Sequence, residues 1–384
     1  MTEWIECTLD KLGEIVGGAT PSTKCEDYYG GSIPWITPKD LSSFKGRYIT
    51  SGERNITEKG LASCSAQMMP KDAVLFTSRA PIGYVAIASQ SVCTNQGFKS
   101  IVVNEKADPL FVYYLLKYNK DAIEAMGSGT TFKEVSGKTM RAVKVRIPLD
   151  VSYQKRIAAV LDSIDTKIEN NERINDNLEQ QAATLFKALF VDLTPFDGTM
   201  PPNWTISTLG DATEMGAGGD KPKESSPVKT PLCPYPIYSN GINDYGLYGY
   251  TNDPKIKVES VTVSARGTIG YVCLRHTPYV PIVRLVTLIP DTKVLSAKYL
   301  YLYLRQLHIT GTGTTQQQLT VPDFRKTEII IPDKNTMDSF TETVTPLFEQ
   351  IWANEDENTK LAEVRDALLP KLMSGEIDVS DIQL

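Results

Sequence analysis

Apolar residues recur along two stretches of this chain with the 4-3 spacing of a helix that buries one narrow stripe. In the first stretch they fall at Ile157, Leu161, Ile164, Ile168, Leu178, Ala182, Leu185 and Leu189, and the rhythm passes through Asn171 and Asn175. In the second they fall at Phe340, Val344, Leu347, Ile351, Leu361, Leu368 and Leu372, with Asn354, Asn358 and Arg365 at intervening seam positions. Both patterns predict long helices. Each asparagine of the first seam has a counterpart 183 positions later, 171 to 354 and 175 to 358. A polar residue in such a seam specifies register at a cost in stability. If the helices run antiparallel, Asn171 faces Asn358 and Asn175 faces Asn354. The amides can then hydrogen-bond each other, whereas a slipped register buries them unpaired. Pro346 and Pro370 lie in the second stretch and predict a kink or delayed start, then a bend near its end. The first stretch has no proline from Ser152 to Val191, enough for about 57 Å of helix.

Upstream of each helix the same series of patterns occurs twice. "WIECTLDKLGEI" at Trp4 is echoed by "NWTISTLGDATEM" around Trp204, and "SRAPIGYVAI" at Ser78 returns as "ARGTIGYVCL" at Ala265. An apolar, aromatic segment follows in each half, "PLFVYYLLKY" from Pro109 and "SAKYLYLYLRQL" from Ser296. Then come the polar loops "GSGTT" at Gly127–Thr131 and "GTGTT" at Gly311–Thr315, and a β-like run ending at Pro148 or Pro332. A tandem repeat of this kind dictates the architecture. The expected fold is α+β, with two similar α/β lobes in tandem, separated by a pair of long antiparallel coiled-coil helices about a pseudo-two-fold axis. The expected boundaries are 1–150 for the first lobe, 151–192 for the central spacer helix, 193–334 for the second lobe, and 335–384 for the C-terminal spacer helix and tail. "VDLTPFDGTMPPNW" from Val191 reads as the linker into the second half.

Composition narrows the chemistry. The 384 residues are 41% hydrophobic, enough for two cores. The opening "MTEWIECTLDKLGEI" lacks the apolar run of a signal peptide. No stretch approaches the roughly 18 apolar residues of a membrane span. A soluble, cytoplasmic protein is expected. Six cysteines without a C-x-x-C pair and only two histidines argue against a structural zinc. Reduced, mostly buried thiols are expected instead. "SGKT" at Ser136–Thr139 lacks the upstream glycine of a phosphate-binding loop, because that position is Phe132. No asparagine or aspartate precedes a Pro-Pro-aromatic run, so the usual adenine-methyltransferase motif is missing. Asp165-Thr166-Lys167 could be half of a nuclease motif, but it falls in the heptad helix, where a solvated face is expected. His276 and His308 occupy unmatched places in the repeat and read as structural or surface residues.

A net charge of −6 is a poor start for a nucleic-acid binder. The acids, however, crowd onto the helices, including Glu169, Glu172, Asp176 and Glu179 in the first and Glu355, Asp356, Glu357 and Glu363 in the second. The lobes keep their cations: Gly127–Arg146 carries Lys133, Lys138, Arg141, Lys144 and Arg146 against Glu134 alone. Glycine lets backbone N–H groups approach a phosphate, and threonine hydroxyls can donate to it. Glutamine, which follows Thr314 and Thr315, can pair with adenine. The loop also reads as a plain polar connection. Arg79 and Arg266 match in the repeat, and each can either reach DNA or pair with a carboxylate inside its lobe. Two similar lobes with divergent middle loops suit two different half-sequences, which recur on one DNA face at about 34–36 Å.

The chain resembles the specificity subunits of type I restriction–modification enzymes along nearly its whole length. The telling stretches are "GGATPSTK", "YYGGSIPWITPKDL", "SRAPIGYV", "GSGTTFKEVSGKTM", "VRIPLDVSYQKRIAAVLDSID" and "LLPKLMSGEIDV". The resemblance implies two target-recognition domains, each reading half of a bipartite double-stranded DNA target. It implies helices that set the spacing and dock two methyltransferase subunits, with restriction subunits added for cleavage and no membrane involved. It implies no catalysis and no cofactor in this chain, with S-adenosylmethionine, ATP and Mg on partner subunits. The DNA-contact candidates are Lys24, Lys39, Ser78, Arg79, Thr130, Thr131, Lys133 and Lys138 in the first lobe. In the second they are Tyr238, Asn240, Arg266, Thr314, Thr315, Gln316 and Arg325. Asn171, Asn175, Asn354 and Asn358 are the register candidates. The second lobe departs from the first, with "YSNGIND" where "IPWITPKDL" stands. The rival readings are a scaffold or decoy that binds methyltransferase subunits without reading DNA, and a divergent nuclease or methyltransferase.

Overall fold

Short capping residues punctuate both halves. Asp108, Ser136, Ser296 and Thr320 each accept a hydrogen bond from the N–H three residues on, satisfying a donor that the first helical turn leaves open. The computed structural model describes residues 3–129, 133–311 and 318–382. It divides into two units, Met1–Arg173 with Glu355–Leu384, and Ile174–Asn354.

In the first unit a five-stranded sheet runs in the order Gly13–Gly17, Lys99–Val103, Val74–Ser78, Ile82–Ala88, Tyr48–Ile49. Neighbours are antiparallel except the edge strand Tyr48–Ile49, which is parallel to Ile82–Ala88. A three-stranded sheet orders Arg54–Ile56, Tyr29–Ile36 and Cys93–Thr94. Trp4–Thr8 pairs antiparallel with Lys144–Pro148. The helix Pro109–Tyr118 packs on the large sheet through Phe111, Val112 and Leu115, all essentially buried.

The second unit repeats the plan. Its first sheet orders Thr213–Ala217, Val286–Pro290, Ser260–Val263 and Val272–Arg275, and Thr205–Thr208 pairs with Glu328–Ile331. Its other sheet orders Ser225–Ser226, Leu247–Thr251, Tyr235–Tyr238 and Val280–Pro281. Tyr235–Tyr238 takes the place of Tyr29–Ile36, since each runs parallel to a short strand, Val280–Pro281 or Cys93–Thr94. The divergent "YSNGIND" segment therefore leaves an equivalent strand.

Two long helices complete the units. The central helix spans Val151–Phe186 and continues as a π-helical turn, Lys187–Val191; the C-terminal helix spans Lys334–Ser374. Within the first unit Asp165 meets Arg365 and Asn171 meets Asn358, so the paired segments run antiparallel. In the second unit Asn175 meets Asn354 and Phe186 meets Phe340, with the same sense. Pro346 and Pro370 do not interrupt the C-terminal helix. Both are exposed, as are Glu342 and Asp366, whose carbonyls lose their intrahelical donor, while Phe340, Val344 and Phe348 stay buried. The first seam departs from strict 4-3 spacing beyond Ala182. Phe186 and Phe190 are buried there, whereas the expected Leu185 is exposed and Leu189 only partly covered. The larger aromatic surface of Phe186 takes the buried place one residue on, before the π-helical turn begins.

The C-terminal helix ends at Gly375, whose φ of 80° favours glycine and whose Cβ would lie 2.8 Å from the Trp4 ring. The tail then packs on the first unit. Val379 is fully buried, and Tyr153 donates to Asp378 Oδ1 at 2.9 Å. The segment after Val191 is likewise packed rather than a free linker, with Phe196 edge-on to Trp204 at 5.1 Å. All six cysteines are free; Cys93 and Cys273 are buried, and the other four are only partly so.

Candidate nucleic-acid interface

The Gly-Thr loop returns to each lobe in the same way. In the first lobe Val135 N donates to Ser78 O at 2.9 Å; in the second, Leu319 N donates to Ala265 O at 3.0 Å. Each contact ties the loop's far end to the strand end that carries the repeated arginine, Arg79 or Arg266. Thr130, Thr131, Thr314, Thr315 and Gln316 lie outside the described residues.

Around this joint the first lobe gathers charge. Arg79 Nη1 lies 3.7 Å from Glu134 Oε2, and Lys99 Nζ lies 3.7 Å from Glu134 Oε1. Lys133 and Lys138 are exposed beside it, Lys138 on the short helix Gly137–Ala142 that Ser136 caps. Lys24 is exposed in a turn, and Lys39 is exposed with its Nζ 2.7 Å from Glu53. Lys144 and Arg146 are engaged elsewhere, with Glu6 at 3.1 Å and with the Trp4 ring and Ser374 O. Ser78 is fully buried and donates to Gly97 O at 3.2 Å. Its hydroxyl closes a strand end and is not presented at the surface.

In the second lobe Arg266 is exposed and donates from Nη2 to Gln318 Oε1 at 3.1 Å. Arg325 is exposed and donates to Gly210 O at 3.0 Å. Asn240 uses both ends of its amide on the backbone: Nδ2 donates to Val283 O at 2.6 Å, and Oδ1 accepts from Ala265 N at 2.8 Å. It therefore braces the Arg266 strand end, with one amide N–H and one oxygen lone pair committed to the backbone. Tyr238 lies under the Arg275 guanidinium, 3.6 Å from ring centre to carbon. Burial raises the pKa of its phenol, with Arg275 opposing. Arg284 was not singled out from the sequence; it lines a cavity with Arg266 and Gln318.

The helices meet the lobes through buried polar contacts. Asp165, expected on a solvated face, is buried and accepts from Tyr114 Oη at 2.7 Å and from Arg365 Nη1 at 2.8 Å. Burial, then the Asp165 charge, raises the Tyr114 pKa, so the phenol keeps the proton it donates. Tyr301 donates to Glu179 in the second unit and is shifted the same way. His276 stacks on Trp352 at 4.1 Å. Asn171 Nδ2 donates to Asn358 Oδ1 at 2.8 Å and to Glu357 Oε2 at 2.7 Å. Asn354 Nδ2 donates to Asn175 Oδ1 at 2.7 Å, and Asn175 Nδ2 to Ile351 O at 3.4 Å. Among the described residues no cluster of three His, Cys, Asp or Glu side chains could hold a metal ion, and no helix is long and apolar enough to cross a membrane.

Residues 1–180, and again residues 201–363, match the model of the type I restriction modification DNA specificity domain. The chain belongs to this family. Among curated relatives of this specificity subunit, the type I restriction enzyme MjaIX specificity subunit of Methanocaldococcus jannaschii is 34% identical over 99% of this chain and 95% of its own. The HindI specificity subunit of Haemophilus influenzae is 25% identical over 73% of this chain and 80% of its own. The fold matches the crystal structure of a type I restriction–modification S subunit from M. genitalium, with a TM-score of 0.62 at 17% identity over 97% of this chain and 96% of that one.

Proposed function

We propose that each lobe reads one half of a bipartite DNA target, that the paired helices set the gap between the halves, and that their acidic outer faces dock two methyltransferase subunits. The observation that carries this reading is the duplication of the strand-end arginine and its loop joint, set beside a divergent insert in each lobe. A shared joint serves the common backbone, and different inserts serve different bases. Methyl transfer from S-adenosylmethionine and ATP- and Mg-dependent cleavage then belong to partner subunits. The exposed candidates Lys24, Lys39, Lys133, Lys138, Arg266 and Arg325 remain as contact positions, with the half-buried Arg79, the loop-tip threonines and Gln316. The test is a map of methylated adenines in a host without other methylation, expressing this chain with its methyltransferase subunit. Two short blocks with a fixed gap, lost when this chain is omitted, are expected. Methylation independent of this chain, despite complex formation, would favour a scaffold or decoy.

The asparagine pairs supply the ruler in this reading. Replacing Asn171 and Asn175 together by Leu removes the partners of buried Asn354 and half-buried Asn358, at about 1–3 kcal/mol for the buried amide donor left unpaired. The lobes are expected to stay folded while helix register loosens. Methylation maps should then show a gap of mixed length. A single unchanged gap removes the asparagines from the ruler.

A further inference from the structure

The two lobes build the same joint and charge it differently. In the first lobe Arg79 and Glu134 bridge as antiparallel backbone partners, and the Glu134 carboxylate stands between Arg79 and Lys99. One acid thus serves two cations. In the second lobe the positions 187 residues on from Arg79 and Lys99 hold Arg266 and Val286, and the position 184 on from Glu134 holds Gln318. The backbone contacts from Val135 to Ser78 and from Leu319 to Ala265 establish that these positions correspond. A neutral amide has therefore replaced the carboxylate. Gln318 Oε1 accepts from Arg266 as Glu134 would, but it cancels none of the charge.

A second cation joins Arg266. Arg284 stands where the first lobe has Gly97, again 187 positions apart. Its backbone is held at a φ of 65°, uncommon for a residue with a side chain, by Arg284 N donating to Gly218 O at 2.9 Å. Both arginines are exposed. They line a cavity of about 290 Å³ with Ala217, Gln318, Thr320 and Pro322, and no carboxylate is among its described lining residues. Guanidinium groups match the geometry of a phosphate better than any other side chain, and a paired acid would compete for them.

We propose that Arg266 and Arg284 form a phosphodiester-binding cleft in the second lobe, with Gln318 holding Arg266 in place without neutralising it. The inference rests on the reading of the lobes as DNA-binding. The first lobe lacks this cleft because Glu134 pairs with Arg79 and Gly97 stands where the second arginine would be. The second lobe then supplies more of the salt-sensitive affinity, and the bases read are unaffected, since phosphate contacts carry no sequence information.

The experiment measures Kd against salt for the full chain in complex with its methyltransferase subunits, on a duplex bearing the mapped methylation motif. Gln318→Glu and Arg284→Gln should each flatten the slope of log Kd against log salt by about one, or about 3.5-fold between 50 and 200 mM, without changing the motif. Glu134→Gln should steepen it by releasing Arg79. In an Arg266→Gln background, Gln318→Glu should have no further effect. A specific complex whose slope ignores Gln318→Glu and Arg284→Gln overturns the cleft. So does a Gln318→Glu effect that persists without Arg266, because general repulsion would then account for it. An unmodified complex with no preference for the motif over a scrambled duplex overturns the DNA-reading itself.

Discussion

Phe186→Ala should destabilise the second unit by about 3–5 kcal/mol, the range for emptying a buried aromatic site. Phe186 is fully buried at the end of the central helix, within that unit. Its ring lies 5.3 Å from Phe190, 5.3 Å from Tyr299 and 6.1 Å from Phe340. These neighbours cannot close the gap freely. Tyr299 Oη donates to Ile330 O at 2.6 Å, and Trp204, packed on Phe190, donates from Nε1 to Asp333 Oδ2 at 3.1 Å. The site therefore joins the central helix, the C-terminal helix and the aromatic helix Ala297–Gln306. Denaturant unfolding followed by hydrogen exchange in Ser260–Val263 and Val286–Pro290 reads the loss. The second methylated block should weaken with it. A cost under about 1 kcal/mol would mean that the site collapses around the gap, and that this helix end is no anchor.

Arg47→Met should cost the first unit roughly 2–3 kcal/mol. Arg47 is 5% exposed, and its guanidinium reaches three successive places on the central helix. Nη1 donates to Asp162 O at 2.9 Å and to the Asp162 carboxylate; Nη2 donates to Thr166 Oγ1 at 2.8 Å and to Glu169 Oε2 at 3.0 Å. Burial opposes the charge on Arg47, but Glu169 and Asp162 outweigh it, and its pKa rises. Removing one partner from a fully buried ion pair costs about 3–5 kcal/mol. The cost at Arg47 is lower because the Asp162 and Glu169 side chains keep 34% and 30% of their surface exposed, so water screens them. Lysine should not rescue, since a single ammonium cannot span the three places. The readouts are unfolding of the first unit and the occupancy of the first methylated block. A Met variant that unfolds and methylates like the parent would remove Arg47 as the clamp between lobe and helix.

The helices were legible because a seam repeats every few residues, and the matched asparagines marked the seam positions that pair, Asn171 with Asn358 and Asn175 with Asn354. The tandem plan was legible because both copies keep the same order of turns, glycines and aromatic runs. Pro346 did not delay the C-terminal helix, which already begins at Lys334 and runs on through Pro370, both prolines standing on its exposed face. Asp165 misled. Its neighbours in sequence suggest a solvated face, but Tyr114 and Arg365 come to it from elsewhere in the chain. Ser78 and Asn240 carry polar groups at promising places, yet the Ser78 hydroxyl is buried on a backbone partner and the Asn240 amide is tied at both ends to the backbone.

The sequence by itself therefore determined the duplicated fold, the two helices and the family, since periodicity and motif order are written along the chain. Tertiary structure alone decided how each charged side chain is used. Arg79 meets Glu134 across 55 positions, Arg266 meets Gln318 across 52, and Arg47 reaches Glu169 across 122. Whether an arginine is neutralised or left for DNA depends on which group the fold brings opposite it, and no local pattern records that distance.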